Sequence, residues 1–162
     1  MKLRNMTSVY LLCGDEILLL YRKGSRVANN SYISSAGGHL EPGELNCPRA
    51  GMLRELREEL GLGEAALANL RLRYITQRLR GGEVRQIYYY FAEIGEKSLV
   101  AESTEGTLRW VKLENACALP MPVTAKRMLE HYIAEGRFTD LLYAGATTPE
   151  GMVFTVLEEF EG

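Results

Sequence analysis

Three glutamates, Glu55, Glu58 and Glu59, follow a glycine pair, Gly37-Gly38, at a distance that a turn and one helix would span. At about 100° per helical residue they share an arc of roughly 100° on one face. Met52, Leu53, Leu56 and Leu60 take the neighbouring face and give that helix an apolar seat. Like charges packed this closely repel one another. A hard cation reverses the sign, because Mg²⁺ or Mn²⁺ takes oxygen ligands and bridges to phosphates. Glycines lacking a Cβ let main chain approach such an ion. Metal bridging a diphosphate neutralises its charge, positions water and stabilises the leaving oxygen.

The elements around these residues alternate without a linker. Ser8–Leu12 and Ile17–Tyr21 flank Gly14-Asp15-Glu16 and read as a hairpin of buried strands. A loop from Lys23 to Ser31 leads to a short strand at Tyr32–Ser35, which feeds the glycine pair. The carboxylate helix spans Pro48 to Leu60: Pro suits a first helical position and Gly61 a stop. Two long strands, 70–80 and 84–94, join across Gly81-Gly82. A strand at 108–113, a helix from Pro122 to about Glu135 and a terminal hairpin (141–143 with 152–157) complete the chain. The pattern predicts an α/β fold in one domain, 1–162, with a mixed sheet between helices.

The run from Gly38 through Glu44 to Arg54-Glu55-Leu56-Arg57-Glu58-Glu59-Leu60-Gly61-Leu62 resembles the signature of the Nudix hydrolases. In words the signature is Gly, five residues, Glu, seven residues, then Arg-Glu-hydrophobic-any-Glu-Glu-any-Gly-hydrophobic. The spacer departs from it, with nine residues, Leu45 to Leu53, in place of seven. Pro48 keeps its place six residues before Arg54, so the extra pair falls in the loop at Leu45-Asn46, and Asn46 or Cys47 caps the helix. The resemblance implies the Nudix α/β/α sandwich. It implies that the carbonyl of Gly37 and the carboxylates of Glu55, Glu58 and Glu59 hold Mg²⁺, with Mn²⁺ as an alternative. Glu55 is also a candidate base, Arg54 orients a carboxylate, and Glu44 supports the ligands from behind. The implied reaction releases a nucleoside monophosphate from a nucleoside diphosphate linked to a moiety X.

Residues outside the run resemble the MutT-type branch, which cleanses the nucleotide pool of oxidised purine triphosphates such as 8-oxo-dGTP, giving monophosphate and pyrophosphate. They are Asn5-Met6-Thr7, Glu105 to Val111 and Leu119 to Pro122. Thr7 and Arg22 stand where those enzymes contact substrate, and Gly38 adjoins it. Ser34 stands where the human-type enzyme has Asn, and Met121-Pro122 where it has two acids reading the purine edge. Without polar partners for the base, discrimination weakens and broad specificity follows. Trp110 either stacks a base or packs in the core. Three functions are weighed: a triphosphate pyrophosphohydrolase, a Nudix hydrolase of another diphosphate (nucleotide sugar, dinucleotide, capped RNA), and a non-catalytic nucleotide-binding module. The retained carboxylates speak against the last.

Composition narrows the setting. The chain has 162 residues, 46% hydrophobic, enough for one sizeable core. A net charge of −2 gives no global field for nucleic acid or an anionic membrane; the partner that the Nudix resemblance implies is a nucleotide. Three cysteines in no metal spacing suit a reducing compartment, and no long apolar run or signal-like start is present, which predicts a cytoplasmic protein. Monomer and homodimer stay open. Arg71, Arg73, Arg78, Arg80 and Arg85 line a β ribbon; a grip on phosphate or RNA competes with an exposed face guarded against edge pairing, and the latter is preferred. Glu102 and Glu105 read as solvated acids rather than additional ligands, and Tyr88 to Phe91 as alternating between core and cleft.

Overall fold

Successive side chains on a strand point to opposite faces, and β1 (Lys2–Cys13) shows what each face is for. Val9 and Leu11 pack with Met52, Leu56 and Leu60 of α1 (Pro48–Leu60), while Tyr10 packs with Met128, Leu129 and Tyr132 of α2 (Val123–Ala134). The computed structural model describes residues 1–23 and 30–162. Both faces of its mixed sheet are therefore covered, giving the α/β/α sandwich. Most of the loop expected from Lys23 to Ser31 lies outside the described residues. No helix among the described residues is long and apolar enough to cross a membrane.

The sheet continues through β2 (Glu16–Arg22), β3 (Ser31–Ile33), β4 (Ala36–His39), β5 (Ala68–Arg80), β6 (Glu83–Glu93), β7 (Thr107–Lys112), β8 (Tyr143–Thr148) and β9 (Gly151–Val156). Its main path runs β3-β2-β1-β6-β5-β8-β9, with β4 on β1 and β7 on β2. β1 runs parallel to β6 along almost its whole length, from Lys2 opposite Glu83 to Leu12 opposite Glu93. Its other edge is divided. The end of β1 pairs β2 at Leu12 and Cys13, whereas Met6 to Val9 pair β4.

The division is sealed by one side chain. Ser35, fully buried, accepts a hydrogen bond from the Leu11 N–H at 2.9 Å and donates one to the Leu18 carbonyl at 2.6 Å. It thereby satisfies a backbone group on each of the two diverging strands, which would otherwise be orphaned in the core. The single strand expected at Tyr32–Ser35 is for this reason two: β3 stops at Ile33, and the chain crosses the gap and restarts on β1 as β4. β1 also begins at Lys2 rather than Ser8, because pairing with β6 carries its polar half. The terminal hairpin is displaced, with β8 running from Tyr143 to Thr148 alongside β5.

Helix α1 matches its expected limits. Pro48 opens it behind Cys47, and Gly61, at φ 69°, ends it with its N–H on the Arg57 carbonyl. The two additional residues, Leu45 and Asn46, are exposed between a 3₁₀ turn (Pro42–Glu44) and the helix, as the register argument requires. Ser35→Ala should destabilise the fold by about 1–3 kcal/mol, the scale for stranding buried backbone partners. Urea unfolding measures it, and an unchanged midpoint would show that the seal is dispensable.

Candidate active site

β4 brings the glycine pair against β1, with Gly37 opposite Ser8 and Gly38 opposite Thr7, and α1 lies across them. A Cβ on Gly38 would collide with the Glu55 carboxylate, and one on Gly37 would stand 2.5 Å from the Thr7 carbonyl. The Glu55 carboxylate can rest on bare backbone only because Gly38 lacks a side chain, and Gly37 fits against β1 for the same reason. The Gly37 N–H donates to Glu59 Oε2 at 3.0 Å.

Arg54 organises the other acids. Its Nε and Nη2 donate to the two oxygens of Glu44 at 2.6 and 3.0 Å, a bidentate pair. Nη2 also reaches the His39 carbonyl at 3.2 Å, and Nη1 donates to Glu55 at 3.0 Å and Glu58 at 3.3 Å. Glu44 further accepts the Glu41 N–H, closing a capping box on the 3₁₀ turn. The lengthened loop leaves Glu44 on Arg54. Glu44 and Glu55 are largely enclosed, with 13% and 14% of their side chains exposed, while Glu58 is 59% exposed.

One guanidinium does not balance these acids. Hydrogen bonds from Arg54 hold Glu44 below the usual carboxylate range. Burial pushes Glu55 up, and pushes Glu59 up to about 7, where the charges of Glu55 and Glu105 add to it and the Gly37 N–H opposes it. Glu105 itself accepts from Arg22 at 2.8 Å. Excess negative charge, all on oxygen donors, fits a hard divalent cation. Among the described residues, no three His, Cys, Asp or Glu side chains form a gathered metal cluster; Arg54 and the Gly37 N–H hold the carboxylates instead.

A cleft of about 500 Å³ opens beside the glycine pair. Gly37, Gly38, Glu59, Arg22 and Ser34 line it, opposite Pro122, Thr124 and Ala125 of the α2 side. Two residues expected at the substrate stand elsewhere. Cleft-lining positions on β1 are even-numbered, so Thr7 turns to the opposite face, fully buried, its hydroxyl toward the Tyr88 carbonyl at 3.4 Å. Trp110 packs against the α1-side core with Lys97 over its ring, the core alternative of the two weighed for it. Ser34 is buried and donates to the Ala36 carbonyl at 3.0 Å.

The NUDIX domain model matches residues 2–132. The chain belongs to the Nudix family. No curated protein matches it. Among solved structures it is similar to the MutT protein from Bacillus halodurans, at 22% identity over 94% of this chain and 97% of that one, with a TM-score of 0.68. It is also similar to the E. coli ORF135 protein (26% identity, 83% and 91% covered, TM-score 0.65) and to an Ap4A hydrolase from C. elegans (20%, 81% and 96%, 0.66). Nudix hydrolases act on pyrophosphate bonds of nucleotide-type substrates and generally use divalent metal ions.

In this Nudix cleft the sequence reading overlooked Arg4 and Thr76, while Tyr89 takes the cleft side of the alternation expected for Tyr88 to Phe91. The overlooked pair enters through the register of β1, β6 and β5, to which local pattern is blind. The β-ribbon arginines divide. Arg73, buried, donates to the Gly136 and Leu141 carbonyls, and Arg71 pairs Asp140 at 3.6 Å. Arg78, Arg80 and Arg85 line the cleft instead. Edge protection does not describe Arg85, since β6 is paired on both sides.

Two outcomes are expected. Glu59 titrates near 7 in the folded, metal-free Nudix domain, against an ordinary 4.5. Its contribution to stability is full below the lower value and is lost as pH rises through the upper one. In EDTA, Tm should fall between pH 5 and pH 8, and Glu59→Gln should flatten that slope; an unaltered slope would clear Glu59 as its source. Gly38→Ala should displace the Glu55 carboxylate and lower turnover on the order of 10²-fold, with far-UV dichroism unchanged. Full activity in that variant would show that the close approach is unnecessary.

Proposed function

We propose that this Nudix hydrolase is a Mg²⁺-dependent enzyme (Mn²⁺ substituting) that splits nucleoside triphosphates into monophosphate and pyrophosphate. The observation that carries the reading is the set of α1 carboxylates gathered around Arg54 and the glycine pair at the edge of a nucleotide-sized cleft. Glu55, Glu58, Glu59 and the Gly37 carbonyl would hold the metal, which when bound supplies charge neutralisation of the diphosphate and acidification of water. Glu55, poised by Arg54 and raised by burial, is placed to take a proton from the attacking water. Arg54 keeps Glu55 and Glu58 aimed, and Glu44 keeps Arg54 aimed in turn.

The α2 side of the cleft is Pro122, Thr124 and Ala125, with no acid pair to read a purine edge. Ser34 already spends its proton on the Ala36 carbonyl. Both features support weak discrimination between bases, with oxidised purine triphosphates as one class within a broader range. A second reading, a diphosphate with a larger X, is favoured by the cleft's extension along β1 from the glycine pair toward Arg4.

The test is Mg²⁺-dependent hydrolysis of ordinary and oxidised triphosphates, nucleotide sugars and dinucleoside polyphosphates, with both products identified. Pyrophosphate release from triphosphates is expected, and activity confined to sugars or dinucleotides would replace the first reading with the second. Glu58→Gln and Glu59→Gln should each lower turnover by on the order of 10²–10⁴-fold without loss of fold. Near-normal rates in both would remove the metal assignment.

A further inference from the structure

Three arginines form a row across the cleft side of the sheet. Arg4 on β1 stands opposite Arg85 on β6, which stands opposite Arg78 on β5. With adjacent strands ~4.8 Å apart, the three side chains begin within about 10 Å of one another. Like charges placed directly opposite destabilise a sheet, and Arg80 adds a fourth guanidinium to the same cleft. One acid answers them: Glu83 lies 3.0 Å from Arg4 Nε and 3.6 Å from Arg85 Nη2.

That answer is incomplete. The Nε atoms of Arg4, Arg78 and Arg85 are buried without a hydrogen-bond partner among the described residues, so the Arg4–Glu83 approach is an ion pair without hydrogen-bond alignment. Burial, with Arg85 and Arg80 nearby, holds the Arg78 guanidinium below its ordinary range. One residue along the same three strands, the opposite face satisfies itself: Gln77 donates to Gln86 at 2.7 Å, and Gln86 to Asn5 at 3.3 Å. The arginine row has donors to spare, and it faces into the cleft that also holds Glu59 and the glycine pair. Along β1, Arg4 is four residues from Ser8, the partner of Gly37, a backbone separation of roughly 13 Å.

We propose that this row is a second anion subsite, and that the substrate is a nucleoside diphosphate derivative carrying a further phosphate remote from the scissile anhydride. The inference rests on the second of the two readings above, a diphosphate with a larger X. Guanidinium forks match phosphate oxygens two at a time, and a phosphate dianion offsets more of the row's charge than a carboxylate does. The extra phosphate belongs either to the nucleoside or to X.

Calorimetry in EDTA, where no turnover occurs, separates these sources with three probes: ADP-ribose, its 1″-phosphate and its 2′-phosphate. One phosphorylated probe should bind at least about tenfold tighter than ADP-ribose, the scale of one charge-assisted contact; whichever does so locates the phosphate on X or on the nucleoside. Arg78→Gln and Arg85→Gln should each erase that preference while leaving ADP-ribose affinity within about twofold, and Tm should hold or rise as like charge is removed. Equal binding of all three probes by the unmodified protein overturns the proposal. So does an equal loss for parent and phosphorylated probe in the variants, which marks a structural role. Retained preference in EDTA with no hydrolysis of any diphosphate in Mg²⁺ would sink the substrate reading of the preceding subsection and leave the subsite standing.

Discussion

The site depends on how β1 shares its second edge. A strand can pair with one neighbour per edge at any rung, and β1 gives its Met6–Val9 rungs to β4 and its last rungs to β2. Without that division there is no β4, and no backbone on which α1 can set its carboxylates. Ser35 makes the division affordable by bonding to both diverging strands. The remaining geometry follows: the glycine pair is held flat against β1, and α1 closes over it. β2, free to veer away, takes β7 and β3 as partners instead.

The same strand gives the cleft two electrical ends. Near Gly37 the charge is mostly negative, with Glu44, Glu55 and Glu58 drawn to one arginine and Glu59 half-neutralised by burial. Near Arg4 it is positive, with one glutamate serving several guanidiniums. Each end is under-compensated by the protein itself, in opposite senses. A ligand whose metal-bound anhydride and outlying anion sit apart suits both ends in one orientation only, so polarity alone would set which way round it enters.

How much of this was legible depended on the range of the determining contacts. Pro48 and Gly61 act within their own helix, and α1 took the limits its sequence predicts. Gly81 and Gly82, both at positive φ, close the β5–β6 hairpin where they were expected to. The carboxylate spacing is helical and survived a two-residue insertion, because Pro48 resets the register beyond it. The break between β3 and β4 was invisible, since Ser35 reaches partners 24 and 17 positions away. The faces of Thr7 and Trp110 were equally hidden: alternation says that neighbours point oppositely, not which side holds the cleft. Bulges in β5 between Ala68 and Tyr74 shift its phase, so Arg71, opposite Phe91, shares a sheet face with Arg78, opposite Arg85, despite their different parity, and position along the strand alone sends them to different ends of the molecule.

The parallel pairing of β1 with β6 also bears on how the chain reaches its structure. Asn5 and Gln86 are 81 positions apart, yet their side chains meet. Loop closure over such a span is slow compared with hairpin formation. During synthesis the β1–β2 hairpin emerges first, with Val9 to Leu12 and Ile17 to Leu20 and no central strand beside it. More than half of the chain must be made before β6 is complete. An apolar ribbon with an unfilled edge is what other nascent chains adhere to. The polar first half of β1, Lys2 to Asn5, therefore has a role before there is any cleft to line: it is the stretch of that waiting edge least prone to capture a stranger.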